Sequence, residues 1–159
     1  MKRTKIRPTL GDNVDLRLLQ LLSSIQELSP GVNDMLFFAG KRGGSFYYEK
    51  HSGLSFDQAL DKYVQFNRDM NLGIPEIVSS DDKHAILRVK ECALAYGRNE
   101  GQNVCWFEAG IQTGMLSTLT GKHIISREIA CCANGSPYCE FEISEEPLEQ
   151  HFEEAWKET

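Results

Sequence analysis

The sequence predicts an α+β domain in which an antiparallel sheet of about four strands packs against helices. Residues 14–73 place their apolar side chains at helical spacing, in three separate segments. After Pro75 apolar residues alternate with polar ones, which is typical of strands with one buried face. Two alternating strand pairs, separated by another helical stretch, give the order three helices, hairpin, helix, hairpin, helix.

The composition is that of one globular domain spanning residues 1–159. The chain has 41% hydrophobic and 25% charged residues, and a domain of about 150 residues can bury a core of its own. Residues 1–10 are expected to form a flexible, solvated N-terminal arm that carries Lys2, Arg3, Lys5 and Arg7.

Charge and hydropathy argue against several classes of function. The net charge of −6 repels a phosphate backbone, so direct nucleic-acid binding is not expected. No segment approaches the ~18 apolar residues of a membrane span, and the basic start lacks the apolar segment of a secretory signal. We therefore expect a cytoplasmic protein that does not contact membranes.

Two helices are predicted in the first third of the chain. The first helix spans residues 14–28, and its apolar residues at helical spacing are Val14, Leu18, Leu21, Leu22, Ile25 and Leu28. The second helix covers Met35 to Ala39. It is predicted to end in the stretch from Gly40 to Gly44, which we interpret as a surface turn because glycine disfavours helix interiors.

The third helix begins with a capping box. Ser55 is followed three residues later by Gln58, so each side chain can bond the backbone N–H of the other. The helix is predicted to end at Leu72-Gly73. Its predicted buried face consists of Phe56, Leu60, Tyr63, Val64 and Asn67.

The first hairpin and the helix after it follow from alternation and capping. Strands are predicted at residues 77–79 and 85–90, joined by a polar turn. Asn103 is expected to cap a helix over residues 104–119. Gly110 and Gly114 lie on one face of that helix and each costs roughly 1 kcal/mol of helix propensity. They indicate either close packing or room for a ligand.

The second hairpin is predicted from strands at residues 124–132 and 138–144. The Asn134-Gly135 pair between them is typical of a hairpin turn. A last helix is predicted to begin at Pro147, since proline favours the first helical turn. Its predicted buried residues are Leu148, Phe152, Ala155 and Trp156.

Three of the five cysteines are predicted to converge. The odd count and a reducing compartment argue against a disulfide framework. Strand pairing brings Cys131 near Cys139, and alternation places both on the apolar face, Cys131 together with Ile125 and Ile129. Cys105 lies at the start of the helix that covers this face. The thiols either bind a metal or are ordinary small core residues.

A tetrahedral zinc site would need a fourth ligand. Glu128 is the nearest carboxylate, but strict alternation places it on the opposite face from Cys131. It can join the thiols only if the strand kinks between the two residues. The spacing alone leaves this choice open.

The spacing of these residues resembles a known family. Cys105 to Gly110, Gly114, Gly121-Lys122, Glu128, Cys131, Gly135 and Cys139 to Phe141 are similar to the signature of 4-vinyl reductase domains. That family's fold resembles the vesicle-tethering TRAPP subunits. The resemblance implies a zinc ion held by Cys105, Glu128, Cys131 and Cys139. Three thiolates and one carboxylate leave no open position, so this zinc would be structural.

The resemblance also implies a function. Family members include sensor modules of aromatic-responsive activators, so we expect a domain that binds a small apolar or aromatic ligand and signals to a regulatory partner or a second copy in a homodimer. Aromatic residues between Phe37 and Phe107 are expected to supply a cavity for it. No catalytic motif is evident. The alternatives are a vinyl reductase or accessory protein of tetrapyrrole metabolism, and a thiol redox sensor that uses Cys132 or Cys92.

Overall fold

The predicted fold class is confirmed by a computed structural model, which describes residues 6–11, 16–29, 31–46 and 53–147. In the described residues four helices accompany one antiparallel sheet, with strand order β1-β2-β4-β3. The elements are α1 (Leu16–Leu28), α2 (Val32–Phe46), α3 (Phe56–Asp69), β1 (Ile74–Ser80), β2 (His84–Lys90), α4 (Trp106–Thr120), β3 (Ile124–Ala130) and β4 (Cys139–Glu145). A short 3-10 helix, Cys132–Asn134, lies between β3 and β4.

The core lies between the sheet and the helices α3 and α4. Alternate residues of the central strands β2 and β4 point into it, as the period-two pattern predicts. Most of α4 is buried, because α2 packs along it and the sheet lies beneath it. The inward-pointing residues of the two central strands are Ala85, Leu87, Val89, Cys139, Phe141 and Ile143.

The capping box predicted for α3 is present. The Gln58 backbone N–H donates to Ser55 Oγ at 3.2 Å, and the Ser55 N–H donates to Gln58 Oε1 at 3.0 Å. The predicted buried face is also correct, since all five of its residues are buried: Phe56, Leu60, Tyr63, Val64 and Asn67.

The predicted end of α2 is wrong, because the helix continues through the glycine-rich stretch to Phe46. Gly40 and Gly44 face α4, where a Cβ on either residue would overlap a backbone carbonyl oxygen, that of Phe107 or of Ile111. The glycines therefore allow close contact between two helices and do not form a surface turn.

The glycines of α4 complete the same contact from the other side. A Cβ on Gly110 would overlap the carbonyl oxygen of Phe37, and one on Gly114 would overlap that of Lys41. Of the two interpretations of these residues, close packing is correct. The partner backbone is α2, on the face of α4 away from the sheet.

The start of α4 also differs from the prediction. The helix begins at Trp106 and its N-cap residue is Cys105. Asn103 does not cap the helix. Its Nδ2 donates to the Glu128 carbonyl oxygen at 3.1 Å, and its Oδ1 accepts from Asn134 Nδ2 at 3.1 Å. It therefore ties the approach to α4 to the β3–β4 hairpin.

Arg7 does not belong to a solvated arm, so that expectation is wrong for this residue. Only 1% of its surface is exposed. Its guanidinium donates to the carbonyl oxygens of Gly11 and Asn71 at 2.8 Å and of Glu91 at 3.3 Å. Three backbone acceptors can offset the cost of burying a cation. Residues 1–5 of the expected arm lie outside the described residues.

Two other predicted features are only partly covered by the described residues. In α1, Leu22 is buried as expected, whereas Leu21 and Leu28 are exposed. Val14 and the helix expected after Pro147 fall outside the described part of the chain. Among the helices that are described, none is both long and apolar enough to cross a lipid bilayer.

Candidate functional site

Four side chains that were predicted to share a metal ion lie together at one end of the sheet. One possible ligand atom from each of Cys105, Glu128, Cys131 and Cys139 lies within 4.8 Å of each of the others. The Sγ atoms of Cys105 and Cys139 are 3.7 Å apart, and those of Cys131 and Cys139 are 4.0 Å apart. Such a cluster of cysteine and glutamate could hold a metal ion.

Three elements position these thiols. Cys105 is the N-cap residue of α4, Cys131 directly follows β3, and Cys139 is the first residue of β4. All three side chains are buried, with at most 1% of their surface exposed. A shared ion there would connect the start of the central helix to both strands of the second hairpin.

An irregularity in β3 brings Glu128 to the same face as the thiols. Glu128 pairs with Phe141, but Ala130 pairs with Glu140, so Ile129 is an extra residue in the ladder. The bulge shifts the alternation, so Glu128 and Cys131 share a face. This is the kink that a ligand role for Glu128 requires. The expected alignment of Ile129 with Cys131 is wrong, because Ile129 is 50% exposed.

The Glu128 carboxyl group is only half satisfied. Its Oε2 accepts from the Cys105 backbone N–H at 3.0 Å. Its Oε1 is buried and has no hydrogen-bond partner among the described residues. Burial, followed by the negative charge of Cys131, raises the pKa of Glu128 to about 9. Without a cation this carboxyl therefore holds a proton at neutral pH.

The thiols influence each other's protonation. Hydrogen bonds with Cys105 and then Cys139 lower the pKa of Cys131, whereas thiol contacts raise the pKa values of Cys105 and Cys139. Several negative charges at this separation repel each other, so some of the groups retain their protons. A divalent cation would remove that repulsion and release those protons.

Cys92 also lies beside this cluster, which the sequence analysis did not expect. It is buried, and its Sγ is 3.7 Å from the Cys105 Sγ. Hydrogen bonds with Cys105, then with Cys139, lower its pKa. Cys92 lies just after the end of β2, and its spacing to the other cysteines gave no sign of this proximity. Cys132 is half-buried, and its backbone N–H donates to Cys139 Sγ at 3.5 Å.

A cavity of about 410 Å³ adjoins the cluster. It lies between α2, the start of α4 and the edge strand β3, and it opens to solvent. Three aromatic rings contribute to its walls, and Glu128 belongs both to the wall and to the cysteine cluster. The lining residues are Asp34, Phe37, Phe38, Lys41, Trp106, Ala109, Ile125, Ser126, Arg127 and Glu128.

A buried polar network on the inner side of α4 was also not predicted. The Tyr63 hydroxyl donates to the Glu108 carboxyl group and accepts from Asn67 Nδ2 and Gln112 Nε2, each at 3.1 Å. Gln112 Oε1 in turn accepts from Ser126 Oγ at 2.6 Å. The network joins α3, α4 and β3 in the interior, where each bond replaces one to water.

Glu108 gives this network a measurable pH dependence. Burial raises its pKa from 4.5 to about 7, with a further increase from the charge of Cys92. A folded-state pKa above the unfolded value stabilises the fold at low pH. That contribution, about 3 kcal/mol, is lost as the pH rises from about 4.5 to 7. We expect urea unfolding of Glu108→Gln to lack this slope, and equal slopes would contradict the burial of an ionisable Glu108.

Comparison with known proteins agrees with this architecture. Residues 85–145 match the family model of the vinyl-4-reductase domain. The uncharacterized protein MJ0150 of Methanocaldococcus jannaschii is 26% identical over 135 residues, which cover 84% of this chain and 77% of that protein.

Three solved structures share the fold. The phenol-responsive sensory domain of the transcription activator PoxR, solved with phenol, has a TM-score of 0.65 at 18% identity, covering 87% of this chain and 79% of that one. A vinyl-4-reductase family protein from Methanocaldococcus jannaschii has a TM-score of 0.58 at 18% identity, covering 83% and 78%. Subunit 3 of the trafficking protein particle complex from Naegleria fowleri, covalently bound to palmitic acid, has a TM-score of 0.60 at 12% identity, covering 82% and 94%.

The matched segment contains β2, α4 and the second hairpin, and therefore the whole cluster of Cys105, Glu128, Cys131 and Cys139. The family resemblance noted from the sequence is confirmed. The chain contains a domain of the vinyl-4-reductase family, with the α+β fold that it shares with TRAPP subunits.

Proposed function

We propose that this chain is a sensor domain that binds a small apolar or aromatic ligand beside a structural zinc ion. The observation that carries this proposal is the position of Glu128, which lines the cavity and also belongs to the cysteine cluster. A ligand in the cavity would therefore contact a side chain that helps to fix the β3–β4 hairpin to α4.

The donor set fits zinc. Two sulfurs bound to tetrahedral zinc, with bonds of about 2.3 Å, lie about 3.8 Å apart. The Sγ separations of 3.7 and 4.0 Å agree with that spacing before any ion is added. The unpartnered Glu128 Oε1 supplies a fourth donor. Thiolate-rich sites favour zinc over magnesium or calcium.

Four protein ligands would make this zinc structural. With no position open for water, the ion would hold Cys105 against the hairpin and would not activate a nucleophile. The binding energy of such a site appears directly as folding energy, because the unfolded chain does not hold the ligands together.

The cavity suits an aromatic ligand in size and lining. Its volume of about 410 Å³ lies within the usual range for small-molecule sites, about 300–1,000 Å³. Phe37 and Phe38 contact each other edge to face, with centroids 5.8 Å apart, and Trp106 faces them from α4. Phenol in the structurally similar PoxR domain supports a ligand of this class.

Phe38→Ala tests the ligand site. We expect this change to weaken phenol binding about tenfold, because one aromatic wall is lost, which corresponds to about 1.4 kcal/mol. Isothermal titration calorimetry with phenol measures the change. Phe46→Ala is a matched control, since Phe46 is also an exposed phenylalanine of α2 but does not line the cavity. Equal affinities for both variants would contradict the site, and native mass spectrometry of the purified protein would identify a retained molecule.

The output requires a partner or a second copy. A ligand that shifts the chain between two states must bind one of them more tightly, and α2 and β3 are the elements whose separation it would fix. Outward-facing apolar residues support self-association through α1 and α2, which light scattering would detect. They are Leu21, Leu28, Met35 and Phe38. The free thiols support a reducing, cytoplasmic location.

Two other functions have tests of their own. Vinyl reduction would require a hydride or electron donor, and turnover of a vinyl substrate with added reductant, absent in Cys105→Ala, would favour an enzyme. For a redox sensor, Cys132 or Cys92 would pair with a ligand thiol and expel zinc on oxidation by peroxide. Unchanged peroxide-induced zinc release from Cys132→Ser would exclude that role for Cys132.

A further inference from the structure

The cluster contains one more thiol than a tetrahedral site needs. Cys92 Sγ is 3.7 Å from Cys105 Sγ, the same separation as between Cys105 and Cys139. That value is the spacing of two thiolates on one zinc ion, about 3.8 Å. Four buried thiols and one carboxylate, Glu128, thus surround a position that can accept only four of them.

Cys92 is held in place by a built feature of the fold. Glu91, the residue before it, has a positive φ of 52°, which a residue with a side chain rarely adopts. The Glu91 carboxylate accepts from the backbone N–H groups of Thr9 and Leu10, and Arg7 donates to its carbonyl oxygen. These contacts fix the turn at the end of β2 and direct Cys92 into the cluster.

Glu128 is the donor with a second possible partner. The three other proposed ligands are fully buried, whereas Glu128 is half-buried and lines the open cavity. A cavity occupant with a hydrogen-bond donor could therefore bind this carboxylate. None of the three thiols lines that cavity.

We propose that Cys92 is an exchange ligand, which replaces Glu128 on the metal when Glu128 turns to the cavity. This inference rests on the proposed zinc site and gives it a regulatory role. In the exchange the metal–oxygen bond to Glu128 breaks and a metal–sulfur bond to Cys92 forms. The Cys92 thiol proton passes to the freed carboxylate, so no electrons are transferred and the total charge of the site is unchanged.

The exchange would couple the cavity to distant parts of the chain. With Glu128 bound, the metal connects α4 to β3. With Cys92 bound, it connects α4 to the end of β2 and, through Glu91, to residues 7–10. Ligand occupancy would thereby change which strand is fixed to the central helix, while Cys105, Cys131 and Cys139 keep their places.

Cobalt substitution tests the exchange, because the intensity of thiolate-to-Co²⁺ charge transfer reports the number of bound sulfurs. We expect three bound thiolates in the unsubstituted protein. In Glu128→Gln we expect retained Co²⁺ binding with charge-transfer intensity higher by about one-third, from a fourth thiolate. The double variant Glu128→Gln/Cys92→Ser should return to three thiolates and bind Co²⁺ about 100-fold more weakly.

Cys132 supplies the matched control. Glu128→Gln/Cys132→Ser should keep the four-thiolate spectrum, because Cys132 lies at the same turn as Cys131 but outside the cluster. Glu128→Asp, which withdraws the carboxylate by one methylene, carries the same expectation if the glutamine variant does not fold.

The outcomes separate this inference from the proposed function. Loss of the proposed function would appear as an unsubstituted protein that binds neither Zn²⁺ nor Co²⁺. If that protein binds Co²⁺ through three thiolates, but Glu128→Gln and Glu128→Gln/Cys92→Ser give identical spectra and affinities, only the exchange is wrong. Four thiolates in the unsubstituted protein would also overturn the exchange.

Discussion

Cys139→Ser is expected to abolish metal binding and to destabilise the domain by several kcal/mol. Cys139 is the central thiol of the cluster, 3.7 Å from Cys105 Sγ and 4.0 Å from Cys131 Sγ. Serine is a poor zinc ligand, so the variant loses the sulfur that joins β4 to both other elements. We expect zinc content to fall from about one ion per chain to a trace in elemental analysis, with a lowered Tm in calorimetry.

Cys132→Ser is the matched control for this prediction. Cys132 occupies the same hairpin connection but its side chain lies outside the four-residue cluster. We expect it to retain full zinc content and an unchanged Tm. The structural role of the metal would be contradicted if Cys139→Ser kept its zinc, or if a chelator removed zinc from the unsubstituted protein without lowering its Tm.

Gly114→Ala is expected to destabilise the fold by at least about 3 kcal/mol, although alanine is the better helix former by about 1 kcal/mol. The added Cβ would overlap the Lys41 carbonyl oxygen, which belongs to a helix backbone and cannot rotate away. The change must therefore separate α2 from α4 and open the interface that forms part of the cavity. Urea unfolding measures the loss of stability.

Gly43→Ala provides the control within the same helix pair. A Cβ on Gly43 would meet nothing within 4 Å, so only helix propensity should change. We expect this variant to be more stable by about 0.5–1 kcal/mol. A neutral or stabilising effect of Gly114→Ala would show that α2 and α4 do not pack through their glycines.

Much of the fold follows from local patterns. Ser55 and Gln58 predict their helix start correctly because a capping box involves only neighbouring residues. The central strands follow from alternation, since one face of the sheet is covered. Gly40 and Gly44 were misinterpreted for the opposite reason. Their environment is set by α4, which lies far from them in the sequence, and tertiary contact overrides helix propensity there.

The site shows the same division. The family resemblance identified the four clustered residues, and alternation correctly required a bulge before Glu128 could join the thiols. Cys92 was not expected, because its position depends on the positive φ of Glu91 and on contacts with Arg7. Interactions of this kind leave no periodic pattern in a sequence. The same is true of the hydrogen bond between Tyr63 and Glu108.

The central claim is that one metal ion joins the start of α4 to the β3–β4 hairpin. X-ray absorption at the zinc edge, on protein purified without added metal, tests it most directly. The account predicts about three sulfur neighbours at about 2.3 Å and one oxygen neighbour at about 2.0–2.2 Å. Metal-free protein, or zinc surrounded only by nitrogen and oxygen, would contradict it.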